Sequence, residues 1–147
     1  MKTLKQLRPI IIEWAKVKGL INIENAQKQR LKLMEEIGET AGAILKKNSA
    51  EIKDGFGDIF VVIIILAEQL GEEVKIKNVG GNVHSTDFIF AKIIEFCFEM
   101  DFTNAIDWLN DCATLNKVDL EECANIAYNV IKDRTGKMVD GTFIKNS

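Results

Sequence analysis

The stretches Glu35-Glu36-Ile37-Gly38-Glu39 and Asp54-Gly55-Phe56-Gly57-Asp58, the second followed directly by an apolar run, are the most informative part of this chain. Residues three or four apart share one face of a helix, so Glu36 and Glu39 project together, as do the two aspartates of the second stretch. Like charges held this close repel each other, which favours a cation between them. Oxygen ligands without His or Cys suit Mg²⁺ or Mn²⁺ better than zinc.

The two acidic stretches are predicted to face each other across a helical hairpin. The sequence Asn48-Ser49-Ala50-Glu51 is typical of a helix start, with Asn48 as the N-cap and Glu51 reaching back to it. If the chain reverses near Lys47, residues the same number of positions before and after Lys47 lie level on two antiparallel helices. The two acidic pairs are almost the same number of positions from Lys47, so they would lie level. We therefore predict one four-carboxylate metal site, formed by Glu36, Glu39, Asp54 and Asp58.

Apolar spacing predicts that most of the chain is helical. The predicted helices cover 4–17 (or start at Pro9), 24–47, 49–70, 87–99, 103–116 and about 119–134, with a polar connection at 72–83. The predicted N-caps of the last three helices are Ser85 or Thr86, Thr103 and Asp119. The predicted buried stripe of the second helix is Leu31, Met34, Ile37, Ala41 and Ile44 or Leu45.

Two segments need separate arguments. The run Val61-Val62-Ile63-Ile64-Ile65 has strand propensity, but the length of its segment, the cap before it and Gly71 after it favour a helix. Residues 138–144 surround an Asp140-Gly141 pair, which is typical of a type I′ turn in a β-hairpin. The predicted fold is all-α: one helical-bundle domain over residues 1–147, with a small C-terminal β-hairpin.

Composition narrows the class of protein. The 147 residues are 47% hydrophobic and 28% charged, with a net charge of −3, which argues against a general nucleic-acid-binding surface. The three cysteines lack metal-binding spacing, so we expect reduced core thiols in a cytoplasmic protein. The apolar run 59–67 is far shorter than the roughly 20 residues of a membrane-spanning helix, and we expect no membrane association.

A carboxylate-bound Mg²⁺ suits a phosphate ligand, because phosphate oxygens complete its coordination. Such an ion neutralises phosphate charge and lowers the pKa of an attacking water, whose proton Glu35 or Glu36 could accept. The side chains predicted to contact phosphate or sugar are Lys32, Asn129, Lys132 and Arg134.

Three motifs of the chain are Gln29-x-x-Lys32-x-x-Glu35-Glu36-x-x-Glu39, the acidic pair ending in Asp58, and Asn129-x-x-Lys132-x-Arg134. Together they resemble the all-α nucleoside triphosphate pyrophosphohydrolases, most closely the short, phage-type MazG-like proteins. The resemblance extends from Trp14-Ala15-Lys16 to the closing hairpin. It implies Mg²⁺-assisted cleavage of a nucleoside triphosphate to the monophosphate and pyrophosphate, by a homodimer or homotetramer. It also implies metal ligation by Glu36, Glu39 and Asp58.

The resemblance has one departure. The family's usual second motif, ExxD, would place an acid at position 55, where this chain has glycine, and Asp54 is our replacement ligand. The departure favours an alternative function, a non-catalytic helical oligomer that binds nucleotide or a protein partner. Base and sugar preference stay open, including a dUTPase-like preference.

Simpler interpretations apply to single residues. Acidic helix faces are commonly solvated, and Lys32 is as well explained by pairing with Glu35 or Glu36. Gly55 and Gly57 fit either a flexible loop or a close approach of another backbone. Trp14 is better explained as a core or interface aromatic than as a platform for base stacking.

Overall fold

The computed structural model describes residues 1–77, 79–81 and 83–146, and within them six helices precede a β-hairpin. The helices are α1 (Leu4–Val17), α2 (Ala26–Lys46), α3 (Ser49–Gln69), α4 (Thr86–Phe98), α5 (Phe102–Leu115) and α6 (Leu120–Ile131). A short 3₁₀ turn, Ile23–Asn25, precedes α2, and strands β1 (Gly136–Val139) and β2 (Thr142–Lys145) pair antiparallel. The predicted all-α bundle with a small C-terminal hairpin is confirmed. Asn78 and Asn82, in the predicted connection 72–83, lie outside the described residues.

Helix α3 lies at the centre of the bundle. It packs against α1, α2, α5 and α6, and its residues from Phe56 to Ala67 are buried apart from the half-buried Asp58. A helix that is apolar on all sides is stable only when neighbours cover all of them. This explains why its strand-like run of valines and isoleucines is helical here.

The chain reverses between α2 and α3 at the predicted position. Lys47 adopts a left-handed conformation (φ 57°), and Asn48 caps α3 by accepting a hydrogen bond from the Glu51 N–H at 3.1 Å. The Asn48 N–H donates to the Ala43 carbonyl instead of to the Glu51 side chain. The predicted N-cap is therefore confirmed. The predicted return hydrogen bond to the Glu51 side chain is replaced by the bond to Ala43, which closes the end of α2.

Contacts along the two helices establish the antiparallel register. Near the far end, the Gln29 side chain donates to the Val62 carbonyl at 3.3 Å. Near the turn, Gly55 lies so close to Thr40 that a Cβ at position 55 would overlap the threonine hydroxyl. Gly57 lies equally close to the Cys123 carbonyl of α6. These glycines lie within α3 and allow close helix packing; they are not part of a flexible loop.

The predicted buried stripe of α2 is wrong at two positions, Leu31 and Met34, which are 53% and 39% exposed. Of the two alternatives at its end, Ile44 packs against the core, whereas Leu45 is 84% exposed. The face that is buried carries, besides apolar residues, the polar side chains of Gln29, Glu36 and Thr40. Choosing the stripe by hydrophobicity failed because polar residues occupy the inward face and apolar residues the outward one.

Several helix boundaries also differ from the prediction. Helix α1 covers the predicted range 4–17, with Thr3 and Gln6 forming a capping box, and only the alternative start at Pro9 is wrong, because Pro9 lies inside the helix. Asp101, not Thr103, caps α5, because its carboxylate accepts from the Asn104 N–H at 3.2 Å. The predicted caps Ser85 and Asp119 occupy the N-cap positions, but α6 ends at Ile131 and not near Arg134.

The remaining expectations concern the turn and the thiols. Asp140 and Gly141 have φ of 50° and 80°, and Val139 pairs with Thr142, as a two-residue I′ turn requires. The cysteines are unpaired and buried, and burial raises the pKa of each thiol to about 12. None of the helices in the described residues has the length and apolar character needed to cross a membrane.

Candidate functional site

A cavity of about 700 Å³ lies between α1, α2, α3 and the C-terminal hairpin. Its volume lies within the range of small-molecule sites, roughly 300–1,000 Å³. The side chains around it fall into acidic, cationic, and apolar or neutral groups. The residues that line it are Trp14, Leu20, Lys28, Gln29, Lys32, Glu36, Glu39, Asp58, Val61, Val62, Ile65, Ile131, Arg134, Gly141, Thr142, Phe143, Ile144 and Lys145.

Three of the four predicted metal ligands line this cavity: Glu36, Glu39 and Asp58. Glu36 is 7% exposed, and its Oε1 lies 3.3 Å from the Lys32 ammonium. Its second oxygen, Oε2, is buried and has no hydrogen-bond partner in the described structure. An unsatisfied buried carboxylate oxygen is costly, which makes it a strong candidate to bind a ligand.

The carboxylates of α2 and α3 act on each other electrostatically. Burial, followed by the negative charges of Glu36 and Asp54, raises the pKa of Asp58 to about 7, with Arg134 and Lys32 offsetting part of the rise. Burial also raises the pKa of Glu36, although Lys32 opposes this. Burial and the like charge of their neighbours thus disfavour the ionised forms of Glu36 and Asp58, so a cation placed beside them would be stabilised.

Four cationic side chains line the same cavity: Lys28, Lys32, Arg134 and Lys145. Lys32 donates to Glu35 at 2.6 Å as well as contacting Glu36, so the predicted pairing exists and does not remove Lys32 from the cavity. Burial lowers the pKa of Lys32, but the hydrogen bond that Lys32 donates to Glu35 and the charges of both carboxylates outweigh this and raise the pKa overall.

The sequence interpretation missed Lys28, Lys145, Trp14 and Phe143 as lining residues. Lys28 lies one turn before Lys32 on the same helix face, so helical spacing could have identified it. The other three come from the two ends of the chain, and only the tertiary fold brings them to this cavity.

The other predicted site residues lie outside the cavity. Glu35 is exposed beside Lys32, and Asp54 is exposed on α3, so Asp54 affects the site through its charge on Asp58. Asn129 is exposed on α6. Lys132 lines a separate, shallower groove with Trp14 and Tyr128. The structure thus brings together Lys32, Glu36, Glu39, Asp58 and Arg134, but not the remaining four.

Comparison with known proteins identifies the central part of the chain. Residues 24–81 match the MazG nucleotide pyrophosphohydrolase domain. This segment is therefore similar to the MazG family. The matched segment includes α2, α3 and all of the predicted acidic residues, whereas Trp14, Arg134 and the hairpin lie outside it.

A phage protein is similar to part of this MazG-like chain. It is an uncharacterised 18.2 kDa protein from the rep-hol intergenic region of Haemophilus phage HP1 (strain HP1c1). The two are 45% identical over 69 residues, which cover 47% of this chain and 42% of the phage protein. No solved structure matches the chain.

The structure explains why the second MazG-like motif departs from ExxD. Position 55 points directly at Thr40 of α2, where even a methyl group would overlap the threonine side chain. An acidic side chain at this position is incompatible with the observed helix packing. The exposed Asp54 supplies negative charge near Asp58 but does not line the cavity.

The side chains are not arranged as a closed metal cage. Among the described residues, no group of three or more acidic, histidine or cysteine side chains is positioned to hold an ion. Glu36, Glu39 and Asp58 nevertheless all line the same cavity. Chelation would require side-chain rotation, and Glu39 is exposed and therefore free of tight packing.

Proposed function

We propose that this protein hydrolyses (deoxy)nucleoside triphosphates to the monophosphate and pyrophosphate with the help of Mg²⁺ or Mn²⁺. The observation that carries the proposal is the pairing of three carboxylates with four cations around one cavity, next to a MazG-family helix pair. The carboxylates suit a hard divalent cation, and the cations suit a polyphosphate chain.

The residues present fit a divalent ion. Glu36 offers a buried oxygen without a partner. Burial first, and then the negative charges of Glu36 and Asp54, raise the pKa of Asp58, and a bound cation would offset both effects. Glu36, Glu39 and Asp58 would hold the ion, and all their donor atoms are oxygens. When bound, Mg²⁺ would neutralise phosphate charge and lower the pKa of a water molecule.

The protein's own side chains perform the remaining steps. Lys32 and Arg134, next to the carboxylates, bind the phosphate oxygens and hold the substrate in place. The Glu36 oxygen that does not hold the ion accepts a proton from the attacking water, since Glu36 is the buried glutamate of the cavity. Glu35 already accepts from Lys32 and faces solvent, so we assign it no direct role.

Adjacent glutamates provide a matched test of this assignment. We expect Glu36→Gln to lower the rate of pyrophosphate release at least about a hundredfold, because a general base is removed. Glu35→Gln changes charge equally but should retain activity within about threefold, because Glu35 lies outside the cavity. The assay measures pyrophosphate from a panel of common nucleotides, with circular dichroism confirming the fold of both variants. Equal losses in the two variants would contradict the assignment.

The non-catalytic alternative makes a different prediction in the same assay. It predicts that wild-type protein binds a nonhydrolysable nucleotide with Mg²⁺ but releases no pyrophosphate from any nucleotide. Gly55 was its main support, and that departure now has an explanation in helix packing. We therefore favour the enzyme.

The unpaired, buried thiols support a cytoplasmic location.

A further inference from the structure

The cavity changes character along its length. Glu36 and Asp58 lie at one level of the antiparallel helices, with Lys32 and Arg134 beside them. Farther along α3, the lining residues are Val61, Val62 and Ile65. At the helical rise, Ile65 lies about 10 Å beyond Asp58. The cavity thus has a carboxylate end and an apolar end, separated by a distance comparable to the length of a nucleotide.

The C-terminal hairpin closes the apolar end. Its turn lies over the beginning of α2, where a Cβ on Gly141 would be 3.3 Å from both Asn25 Oδ1 and Lys28 Cγ. Lys28 is two turns before Glu36, about 12 Å along the helix. Residues Gly141–Lys145 all line the cavity, so one strand of the hairpin forms a continuous part of its wall.

Specific contacts hold the hairpin in this position. Phe143 packs edge-on against Trp14 of α1, with the ring centroids 5.8 Å apart. Met138 on the other strand lies beside Gly19, 3.5 Å from where a Cβ would be. A two-stranded hairpin is marginally stable alone, so these contacts with α1 and the loop after it determine its position.

We propose that this hairpin, residues 136–145, is the wall against which the nucleoside part of the substrate lies, and that it determines which nucleosides are accepted. The inference rests on the proposed function. Phosphates belong at the carboxylate end, where Lys32 and Arg134 lie, and this leaves the apolar end for the base and sugar. The wall at this end consists of aromatic and aliphatic groups together with the polar side chains of Gln29 and Thr142 and the ammonium groups of Lys28 and Lys145. Such a wall suits a flat heterocycle that carries polar atoms on its edges.

Inhibition by each of the two products tests the two ends of the cavity separately. Phe143→Ala should weaken inhibition by the nucleoside monophosphate about tenfold, because one large apolar contact is lost, and leave inhibition by pyrophosphate within about twofold. Ile144→Ala, at a half-exposed lining position, should act in the same direction without disturbing the Trp14 contact. Val139→Ala is the matched control, since Val139 belongs to the same hairpin but does not line the cavity.

Each outcome is decisive. If inhibition by the monophosphate and inhibition by pyrophosphate weaken equally in Phe143→Ala and Ile144→Ala, or if neither weakens, the hairpin is not the nucleoside wall. If Val139→Ala has the same effect as the other two, the hairpin acts only through overall stability, and the proposal is wrong. If wild-type protein hydrolyses no nucleotide, the proposed function fails. Calorimetric titration with nonhydrolysable nucleotides and with pyrophosphate then tests the hairpin by the same criteria, and absence of nucleotide binding rejects both proposals.

Discussion

Asp58 is a carboxyl group held in a negative, half-buried environment. Its pKa is raised from 3.8 to about 7, first by burial and then by Glu36 and Asp54. The folded protein therefore binds this proton more tightly than the unfolded chain does. The resulting stability is fully present below about pH 4 and is lost as the pH rises through 7.

This shift predicts how the metal-free protein responds to pH. Between pH 5 and pH 8 in EDTA, wild-type protein should lose about 2 kcal/mol of unfolding free energy to this group, after allowance for its partial exposure. The Asp58→Asn variant should lose less unfolding free energy over the same pH range, because asparagine does not ionise. Urea denaturation at both pH values measures the difference. The surface variant Asp133→Asn serves as control, and an identical pH dependence in all three proteins would contradict the argument.

The two aspartates of α3 should differ in their effect on catalysis. Asp58 lines the cavity, whereas Asp54 is exposed and influences the site only through its charge. We expect Asp58→Asn to lower kcat at least about a hundredfold and Asp54→Asn to lower it by less than about tenfold. Steady-state kinetics at saturating Mg²⁺ compares them. Similar losses would mean that Asp54 is a ligand, as the sequence alone indicated.

The helix pair α2–α3 depends on a close contact that only glycine permits. A Cβ at Gly55 would overlap Thr40, while a Cβ at Gly38 on the outer face of α2 would meet nothing within 4 Å. Gly55→Ala should therefore destabilise the protein by about 1–3 kcal/mol through overpacking. Gly38→Ala should stabilise it by about 0.5–1 kcal/mol through helix propensity. Denaturant unfolding of both variants tests this, and destabilisation of equal size at the two positions would rule it out.

Local signals in the sequence identified most of the helices. Asn48, Ser85 and Asp119 are short polar residues at helix starts, and the Asp140-Gly141 pair suits the positive φ of its turn. These features depend on neighbouring residues, so they can be read along the chain. The cap of α5 was misplaced because Asp101 and Thr103 are both good caps, and only the structure shows which one bonds to the backbone.

The interior of the site could be predicted only in part. Helical spacing and the turn at Lys47 predict that Glu36, Glu39 and Asp58 lie near each other, and all three line one cavity. The orientation of α2 was wrong because the site places the polar side chains of Gln29, Glu36 and Thr40 on the buried face. The hairpin wall was missed because its contacts with Trp14 join the two ends of the chain.

The outward face of α2 bears on the assembly of the whole molecule. Leu31, Met34 and Leu45 are exposed along this face. We propose that this face packs against a second copy in a homo-oligomer. Met34→Asp with Leu45→Asp should then yield a monomer, because charges would be buried in an apolar contact. Leu115→Asp, at a similarly exposed position on α5, should not.

Light scattering coupled to gel filtration measures the mass of each variant. A wild-type mass of 16.5 kDa, that of one chain, would rule out a stable oligomer. An oligomer that survives the double substitution would show that a different surface forms the contact.

The central claim is that the α2–α3 cavity splits a nucleoside triphosphate between the first and second phosphates in a metal-dependent reaction. Phosphorus NMR of wild-type protein incubated with nucleoside triphosphates, with Mg²⁺ and then with EDTA, tests it most directly. We predict resonances of nucleoside monophosphate and pyrophosphate with Mg²⁺ and unchanged substrate with EDTA. Nucleoside diphosphate with inorganic phosphate, turnover in EDTA, or no product from any nucleotide would contradict the claim.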